Sequence, residues 1–488
     1  MKLTLNKFYR KALIPLLAIP LLSLPQAAGA AADSTKAAET AGQTSEMEII
    51  QEVLDYLDAY NIEGADRELF LENAIRGMVY TLDDPYSDYY TAEELKEFED
   101  SVNQEFVGIG VTLRFTGNKL YITDVLPGSP AGSAGLKKGD IIAKVDGEPV
   151  KTGEDILRIQ GEENTKVLLN VTRGNQNLSL SVKRSHFSLP SVTGSYIPSG
   201  RIGYITLSSF SENADKEFAA ELDKLRKAGM RSMVLDLRDN LGGYVDTAAN
   251  IAEYFMKSGT LMYTSGQNGE LEAVTISGGQ DIGMPVVILT NELTASASEI
   301  LTGALRDNGI ATVVGTQTYG KARIQNVFTL SNGSSLKLTV QRYLTPNRED
   351  FNHVGLKPDI EVMNNPTAQL ITALYKAGAR TMELSGNASS LTINGVPFSG
   401  YVDTLQSGGK LYVPSRILAA MIKGDVAWSA SIQKLTITDG AGRKAGFTIT
   451  AKTAKMIDGE TYVEIHEFQK KFPDLKWSFQ QGTLHLSK

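Results

Sequence analysis

A serine and a lysine in the middle of the chain have the types and the spacing of a catalytic pair. The run Val286 to Leu289 is short, β-branched and apolar, which predicts a buried strand. Apolar residues then recur at helical spacing, so Ser296 lies where a strand is followed by a helix. Unpaired N–H groups of a first helical turn stabilise negative charge on a substrate carbonyl oxygen. A further predicted strand, Thr312 to Val314, and a loop lead to Lys321, the candidate general base.

The two side chains can react together only when the lysine is neutral. A serine hydroxyl is a weak nucleophile until a neighbouring base takes its proton. Burial disfavours the ammonium form and can lower a lysine pKa from about 10.4 to roughly 7 or 8. The usual alternative, a triad of serine, histidine and aspartate, is poorly supplied. The histidines stand in no recognisable motif, and they are His186, His353, His466 and His485.

Two glycines after another predicted strand offer backbone donors for the same chemistry. The strand runs from Met233 to Leu237 and ends in Arg238-Asp239-Asn240-Leu241-Gly242-Gly243. Glycine lets a backbone N–H approach a ligand closely, so Gly242 or Gly243 could join the N–H of Ala297 in an oxyanion hole. On these residues alone, an ordinary tight turn is the simpler explanation of the glycine pair.

The residues around this serine and lysine resemble the C-terminal processing peptidases. The match lies in Ala295 to Glu299, in Tyr319-Gly320-Lys321 and in Gln325, with serine and lysine 25 positions apart. The resemblance implies that Ser296 is the nucleophile, Lys321 its general base and Gln325 the residue that orients the lysine. It also implies a crotonase-like core and a reaction that needs no metal and no organic cofactor. Seen singly, a serine at a helix start is a common cap and a lysine a solvated surface group.

A second stretch, residues 103–186, resembles a PDZ domain. The resemblance includes Leu136 to Ile142, Val145 to Gly147, and the peptide-binding residues Phe106, Val107, Gly108, Ile109, Gly110 and Val111. The two glycines would let N–H groups turn toward the terminal carboxylate of a peptide. The adjacent strand edge would receive the peptide as an extra strand.

Three positions depart from the family pattern. Gln160 stands where the family often has arginine, which puts an arginine-mediated PDZ switch in doubt unless Arg158 substitutes. Leu241 stands where the family has proline, and Ala322 stands where it usually has glycine. If position 322 needs a positive φ, alanine would strain the loop that carries the base, which predicts reduced activity.

The N-terminus carries a predicted export signal. Basic residues, an apolar run and Ala28-Gly29-Ala30 follow one another, which is typical of a signal peptide, residues 1–30, cleaved near Ala30. Residues 31–45 are predicted to be a disordered leader, and residues 46–102 a helical region with two amphipathic stripes. In the family such helices pair subunits, so a homodimer is expected. Packing of the stripes on their own chain fits the sequence equally well.

Composition bounds the other classes of function. The 488 residues exceed one compact core, so three or four domains are expected. The formal net charge is −8, and no dense basic run lies outside the extreme N-terminus, which argues against a nucleic-acid partner. The chain has no cysteine, which excludes lipoprotein attachment and a disulfide-stapled scaffold.

The last hundred residues change to short strands and turns. Leu391 to Gly395, Leu411 to Arg416 and Val426 to Ser429 resemble the stalk-like domain at the N-terminus of copper amine oxidases. No copper site follows from that resemblance. Residues 387–488 are therefore expected to form an α+β domain that contacts the cell wall or cell surface.

Together these stretches predict a multidomain α/β protein. N-terminal helices, an inserted PDZ domain, a crotonase-like peptidase core at residues 187–386 and a C-terminal α+β domain follow in order. The predicted function is a secreted or cell-surface serine endopeptidase that cuts polypeptides recognised by their C-termini. Two alternatives stay open. One is a catalytically weak PDZ-containing surface adaptor, which the three departures support. The other is an enzyme of the same fold acting on an acyl thioester, against which the signal peptide and the PDZ domain argue.

Overall fold

The structure is a computed structural model that describes residues 45–64, 66–126, 128–363, 365–450 and 452–488. The predicted signal peptide and the leader up to residue 44 lie outside the described residues. Within these ranges, no helix is both long enough and apolar enough to span a bilayer.

The N-terminal region is a pair of exposed helices followed by a short strand and a third helix. Its elements are α1 (Glu46–Tyr60), α2 (Arg67–Tyr80), β1 (Asp88–Tyr90) and α3 (Ala92–Val102). Helix α1 begins at Ser45, whose hydroxyl accepts the N–H of Glu48. Leu54 is the one buried residue of α1, and no described side chain of α2 is buried. Most of the apolar surface of the two helices is therefore open to solvent.

The second unit is a small antiparallel sheet. Its elements are β2 (Glu105–Gly108), β3 (Val111–Thr116), β4 (Lys119–Val125), α4 (Pro130–Ser133), β5 (Ile141–Val145), β6 (Glu148–Pro149), a 3₁₀ helix (Gly153–Ile159), β7 (Lys166–Arg173), β8 (Gln176–Lys183) and β9 (Ser185–Ser188). The strand order is β3–β4–β5–β7–β8, with β6 beside β5, while β2 pairs with β9. Alternate residues such as Val167 and Leu169 are fully buried in one core. Among the described strands, β3 forms one edge of this sheet.

The central unit is a sheet with parallel strands and helices packed on it. Its elements are β10 (Val192–Ile197), β11 (Ile202–Leu207), α5 (Ala214–Lys227), β12 (Ser232–Asp236), α6 (Val245–Ala252), β13 (Ser258–Ser265), β14 (Glu272–Ser277), β15 (Val286–Thr290), α7 (Ala297–Asp307), β16 (Ala311–Gly315), β17 (Arg323–Thr329), β18 (Ser335–Leu344), β19 (Ile360–Glu361) and α8 (Pro366–Lys376). The order β10–β11–β12–β15–β16–β19 is parallel from β11 onward. Because β12 and β15 are parallel neighbours, the segments after their carboxyl ends meet at one edge.

A second, antiparallel sheet of the central unit lies beside the lysine segment. Strand β17 pairs along one edge of β18, while β1 and β13 pair with its other edge and β14 extends β13. Strand β1 comes from the N-terminal region and aligns Asp88 with Lys337. The N-terminal region is thus part of the framework around β18, and the whole has the predicted multidomain α/β character.

The C-terminal region consists of three small sheets and two helices. Its elements are β20 (Glu383–Asn387), β21 (Ser390–Ile393), β22 (Val396–Phe398), β23 (Leu405–Ser407), β24 (Lys410–Pro414), α9 (Ser415–Met421), β25 (Asp425–Ser429), β26 (Lys434–Thr438), β27 (Lys444–Thr448), β28 (Ala454–Ile457), β29 (Glu460–Glu464), α10 (Ile465–Lys471), β30 (Lys476–Gln480) and β31 (Thr483–Ser487). One hydrophobic cluster runs from Phe468 and Leu418 in this region through Leu370 of α8 to Val287 of the central sheet. The region therefore shares a core with the central unit.

Arg114 on β3 joins the second unit to the C-terminal region. Its guanidinium donates to Asp403 Oδ2 and to the carbonyl oxygen of Ala388, each at 2.6 Å. The same group lies 3.1 Å from the centre of the Tyr401 ring. An ion pair, a hydrogen bond and a cation–π contact thus converge on one side chain.

Candidate active site

Ser296 lies between β15 and α7 in a backbone conformation that few residues other than glycine adopt. Its φ of 57° and ψ of −117° fall outside the regular regions. The residue is fully buried, and its hydroxyl oxygen has no hydrogen-bond partner among the described residues. The hydroxyl therefore does not cap the helix, and no hydrogen bond to a described residue holds it.

Lys321 follows a tight turn and is almost completely enclosed. Gly320 has a φ of +88°, and a Cβ there would lie 2.6 Å from a backbone nitrogen, so the turn requires glycine. Lys321 is 3% exposed, and its Nζ lies 5.0 Å from the centre of the Tyr86 ring. Burial lowers the pKa of Lys321 well below its usual value, the charge of Lys337 lowers it further, and Asp84 opposes both. These surroundings favour the neutral amine that a general base requires.

Two buried side chains connect the serine segment to the lysine segment. The Oε2 atom of Glu299 accepts the N–H of Ser296 at 2.9 Å and the N–H of Lys321 at 2.8 Å. The hydroxyl of Tyr343 donates to the carbonyl oxygen of Lys321 at 2.6 Å and lies 3.1 Å from that of Ser296. Neither residue was assigned a function from the sequence, although Glu299 lies in the Ala295 to Glu299 segment that carries the family resemblance.

The side-chain ends of the predicted catalytic residues are not bonded to one another in this structure. The hydroxyl of Ser296 is unpaired, as described above. The Nε2 group of Gln325 donates to Thr339 Oγ1 at 3.0 Å, while its Oε1 is buried and has no partner among the described residues. The expected hydrogen bond between Gln325 and the amine of Lys321 is therefore absent from this structure. The amide nitrogen of Gln325 bonds to β18 instead, and the amide oxygen accepts no hydrogen bond from a described residue. The roles of the three residues stay predictions.

The glycine loop after β12 lies directly against the nucleophile. A Cβ on Gly242 would lie 2.9 Å from the Cβ of Ser296 and 3.0 Å from the nitrogen of Ala297. The N–H of Gly242 donates to Asn240 Oδ1 at 2.8 Å, so this expected oxyanion donor is already occupied. The N–H groups of Gly243 and Ala297 have no acceptor within the described part of the chain. Those two remain the candidate donors.

The stretch predicted to bind a peptide forms the end of β2, a turn and the start of β3. Phe106, Val107 and Gly108 lie in β2, Ile109 and Gly110 in the turn, and Val111 in β3. Gly110 has a φ of +74°, and a Cβ there would lie 2.4 Å from the Cβ of Ser129, so the turn requires glycine. Gly108 instead pairs with Ser185 in a regular strand. The free edge of β3 begins directly after the turn.

Two departures from the family pattern are accommodated without strain. Ala322 does not have a positive φ, is fully buried, and donates its N–H to Asn352 Oδ1 at 3.2 Å. The strain expected at position 322 is therefore absent. Leu241 packs against Phe98 and Val102 of α3, so this apolar side chain fills a contact with the N-terminal region.

The third departure has no substitute in the structure. Gln160 is exposed at the end of the 3₁₀ helix. Arg158 donates to Asp155 Oδ1 at 2.8 Å and to the carbonyl oxygen of Pro149 at 3.1 Å. It is therefore committed within its own unit and does not replace the arginine that the family often has at position 160.

Further residues around the base come from segments that sequence analysis did not assign to the site. The hydroxyl of Ser87 donates to Asp84 Oδ2 at 2.5 Å and accepts the N–H of Thr339 at 3.0 Å, which fixes the turn after α2 on β18. Lys337 is buried and donates to the hydroxyl of Tyr90 at 2.8 Å. Burial lowers the pKa of Lys337 to about 8.

In the described residues, no group of three or more acidic or histidine side chains could hold a metal ion.

Three family models match this chain. The model described as peptidase family S41 matches residues 201–362, and the model of the PDZ domain matches residues 107–183. The model described as the activating protease CtpB N-terminal domain matches residues 21–94. The first match contains both Ser296 and Lys321.

Similar proteins carry descriptions of the same kind. A probable CtpA-like serine protease of Staphylococcus aureus strain COL is 35% identical over 324 residues, which cover 65% of this chain and 65% of that protein. A probable CtpA-like serine protease of Staphylococcus saprophyticus subsp. saprophyticus is 33% identical over 369 residues, covering 72% of this chain and 74% of the relative. The solved photosystem II D1 C-terminal processing protease is 29% identical and covers 66% of this chain and 94% of its own, with a TM-score of 0.42.

Proposed function

The chain belongs to peptidase family S41, and from this premise we propose that it is a serine endopeptidase of the C-terminal processing type. One observation carries the proposal. An unbonded serine hydroxyl is buried at a strained junction of strand and helix, and the segment tied to it carries a buried lysine of lowered pKa. A serine nucleophile needs a free hydroxyl and a base that is neutral at working pH.

In the proposed reaction, Ser296 Oγ attacks the carbonyl carbon of the scissile peptide bond while its proton passes to the neutral amine of Lys321. The N–H groups of Gly243 and Ala297 are the proposed donors to the oxyanion that forms. The C–N bond then breaks, and the ammonium of Lys321 gives its proton to the leaving amine. Water next attacks the acyl carbon while Lys321 accepts a proton from this water; the bond from the acyl carbon to Ser296 Oγ then breaks, and the ammonium of Lys321 returns the proton to Ser296.

Gln325 is proposed to hold the amine of Lys321 when substrate is bound. Its Oε1 is a buried acceptor without a partner, and buried polar groups are seldom left in that state. A hydrogen bond from the amine to this oxygen adds no charge and leaves the nitrogen lone pair for Ser296. Catalytic hydrogen bonds are often loose before substrate binds, so the unbonded arrangement is compatible with a pair that tightens on the peptide.

The proposed substrate is an extended polypeptide whose C-terminus is bound by the PDZ domain. The turn at Gly110 and the free edge of β3 support this role, because an extended peptide can pair with such an edge. The N–H groups of the turn would receive the terminal carboxylate. Specificity would then come from the side chains beside β3.

We also propose how the chain associates with a second copy and where it acts. Val53 of α1 and Leu69 of α2 are 52% and 51% exposed, and such apolar faces would pair two copies of the chain. The sequence of residues 1–30 supports export from the cell. Residues 387–488 would act as a stalk-like domain that contacts the cell wall or surface.

Cleavage of an unfolded model protein tests the proposed function. We expect the exported chain to cut it, and Ser296→Ala and Lys321→Ala to be inactive. Ser232→Ala is the matched control, because the Ser232 hydroxyl is likewise buried without a partner but lies in β12. Activity that survives Ser296→Ala would reject the proposed nucleophile. An inactive parent chain that still binds C-terminal peptides would support the adaptor instead.

A further inference from the structure

One buried carboxylate bonds to both halves of the candidate site. Glu299 accepts the N–H of Ser296 at 2.9 Å. Its other three hydrogen bonds come from the lysine segment. They are donated by the hydroxyl of Thr318 at 2.5 Å, the N–H of Gly320 at 2.7 Å and the N–H of Lys321 at 2.8 Å. The side chain is fully buried, so no water competes for these bonds.

Helix capping accounts for only one of the four bonds. In a capping box, the acid at the third helical position accepts the N–H of the cap residue, and the cap side chain accepts in return. The hydroxyl of Ser296 accepts nothing here, so half of that arrangement is missing. The remaining bonds of Glu299 reach residues 19 to 22 positions away in the chain. These three bonds hold the loop that carries Lys321 and do not cap the helix.

We propose that Glu299, as an ionised carboxylate, is the positioning residue that holds the Lys321 segment against Ser296. This role rests on the proposed function, since it concerns two residues that react with each other. All four partners of Glu299 are donors, and an ionised carboxylate accepts at every site. A protonated carboxyl would direct its own O–H at one of these donors and lose that bond.

The charge of Glu299 also acts on the base. Burial raises the pKa of Glu299 above its usual value, and the four hydrogen bonds that the side chain accepts only partly oppose this effect. The carboxylate favours the ammonium form of Lys321 and so opposes the effect of burial on that pKa. From the other elements, Lys337 on β18 lowers the pKa of Lys321 and Asp84 raises it. Tyr86 stays neutral, because burial raises its pKa to about 12.

The test is the rate at which a fluorophosphonate labels Ser296 in the full chain, measured as a function of pH. Glu299→Gln keeps the shape of the side chain, but its NH₂ group cannot accept hydrogen bonds from the donors that now bond to the carboxylate. We expect labelling about 100-fold slower, because displacing a reacting group by about 1 Å costs this much. We also expect the acid limb of the profile to move to lower pH, because the charge that favours the ammonium form is gone. An unchanged rate, or a slower rate with an unmoved limb, would overturn the proposal.

A second pair of variants covers the case in which Glu299→Gln does not fold. Thr318→Val removes one donor to Glu299, while Thr318→Ser keeps the hydroxyl. We expect the valine variant to label slowly, because Glu299 loses one of the bonds that hold the lysine loop, and the serine variant to match the parent. Equal labelling rates for the two Thr318 variants would reject the positioning role of Glu299 but not the proposed function. A parent that neither labels nor cleaves rejects the proposed function, and this role with it.

Discussion

At the scale of single residues, the candidate site combines backbone strain with buried charge. A residue in the conformation of Ser296 costs on the order of 1 to 3 kcal/mol and persists only where its surroundings hold it. The loop at Gly242 packs against Ser296, and the carboxylate of Glu299 accepts the N–H of Ser296. The burial of Lys321 costs free energy as well, because burial lowers the pKa of its amine and disfavours the ammonium form that the unfolded chain carries.

Gly242→Ala is expected to slow the labelling of Ser296 strongly. Gly242 has a φ of +105°, and a Cβ there would lie within 3.0 Å of backbone atoms of residues 295 and 297 and of the Cβ of Ser296. The variant must therefore push the nucleophile aside, and we expect a loss of about 100-fold or more. Gly229→Ala is the control, because Gly229 has a φ of +88° with no heavy atom within 4 Å. Equal activity of the two variants would show that contact with Ser296 is unimportant.

Lys337→Met is expected to move the acid limb of labelling to higher pH. The positive charge of Lys337 lowers the pKa of Lys321, so its removal raises that pKa and protonates the base earlier as pH falls. This shift has the opposite sign to the one expected for Glu299→Gln. Lys224→Met is the control, since the Lys224 side chain is 65% exposed. A limb at the position of the parent would contradict the coupling of the two lysines.

The same substitution has a consequence for stability. The pKa of Lys337 is about 8 in the folded protein. In the unfolded chain it is about 10.4. Between these two values the unfolded chain binds more protons, so the parent gains stability as pH rises through this window. The melting temperature of Lys337→Met relative to the parent should therefore be constant below the window and fall within it. A difference that does not change with pH would contradict the lowered pKa.

At the scale of elements, the parts of the site that follow from local patterns were predictable and the contacts between them were not. The strand at Val286 to Leu289, the helix after Ser296 and the loop before Lys321 all follow from periodicity within about ten residues. The bond from Thr318 to Glu299 and the packing of Ser87 on β18 join distant segments, which no local period encodes. The occupied N–H of Gly242 was missed for a different reason: the side chain of Asn240, two residues away, accepts it within a turn that hydrophobic periodicity does not encode.

Ala322→Gly tests the strain that the sequence led us to expect at the start of β17. Because Ala322 has no positive φ and is fully buried, glycine should restore no activity. It should instead lower stability by about 0.5 to 1 kcal/mol, because glycine adds backbone freedom to the unfolded chain. Thermal unfolding and labelling of Ser296 check the two effects. A clear gain of activity would mean that alanine strains the lysine loop after all.

At the scale of the whole molecule, the C-terminal region is more closely integrated than an added domain. Its hydrophobic cluster is continuous with α8 and the central sheet, and the ring of Phe398 meets that of Tyr204 edge to face, with centroids 5.0 Å apart. Arg114 adds a polar link from the second unit to the same region. The sequence indicated where the character of the chain changes, but not that the two sides of residue 386 share a core.

Arg114→Met is expected to loosen the second unit from the C-terminal region without changing the reactive pair. Amide hydrogen exchange should rise in β3 and around Asp403, while labelling of Ser296 stays at the rate of the parent. A double-mutant cycle with Asp403→Asn should give a coupling of about 0.5 to 1 kcal/mol, because both side chains are partly exposed. Unchanged exchange in both places would show that this contact does not hold the two units together.

The most direct measurement is the pH dependence of fluorophosphonate labelling in the parent chain and in Lys321→Met, with the modified residue identified by peptide mass mapping. We expect one adduct, on Ser296, with an acid limb well below the ordinary lysine pKa of about 10.4. We expect Lys321→Met to react about 100-fold or more slowly and to lose that limb. An adduct on another residue, or a Lys321→Met variant that labels Ser296 as fast and with the same limb, would contradict the account.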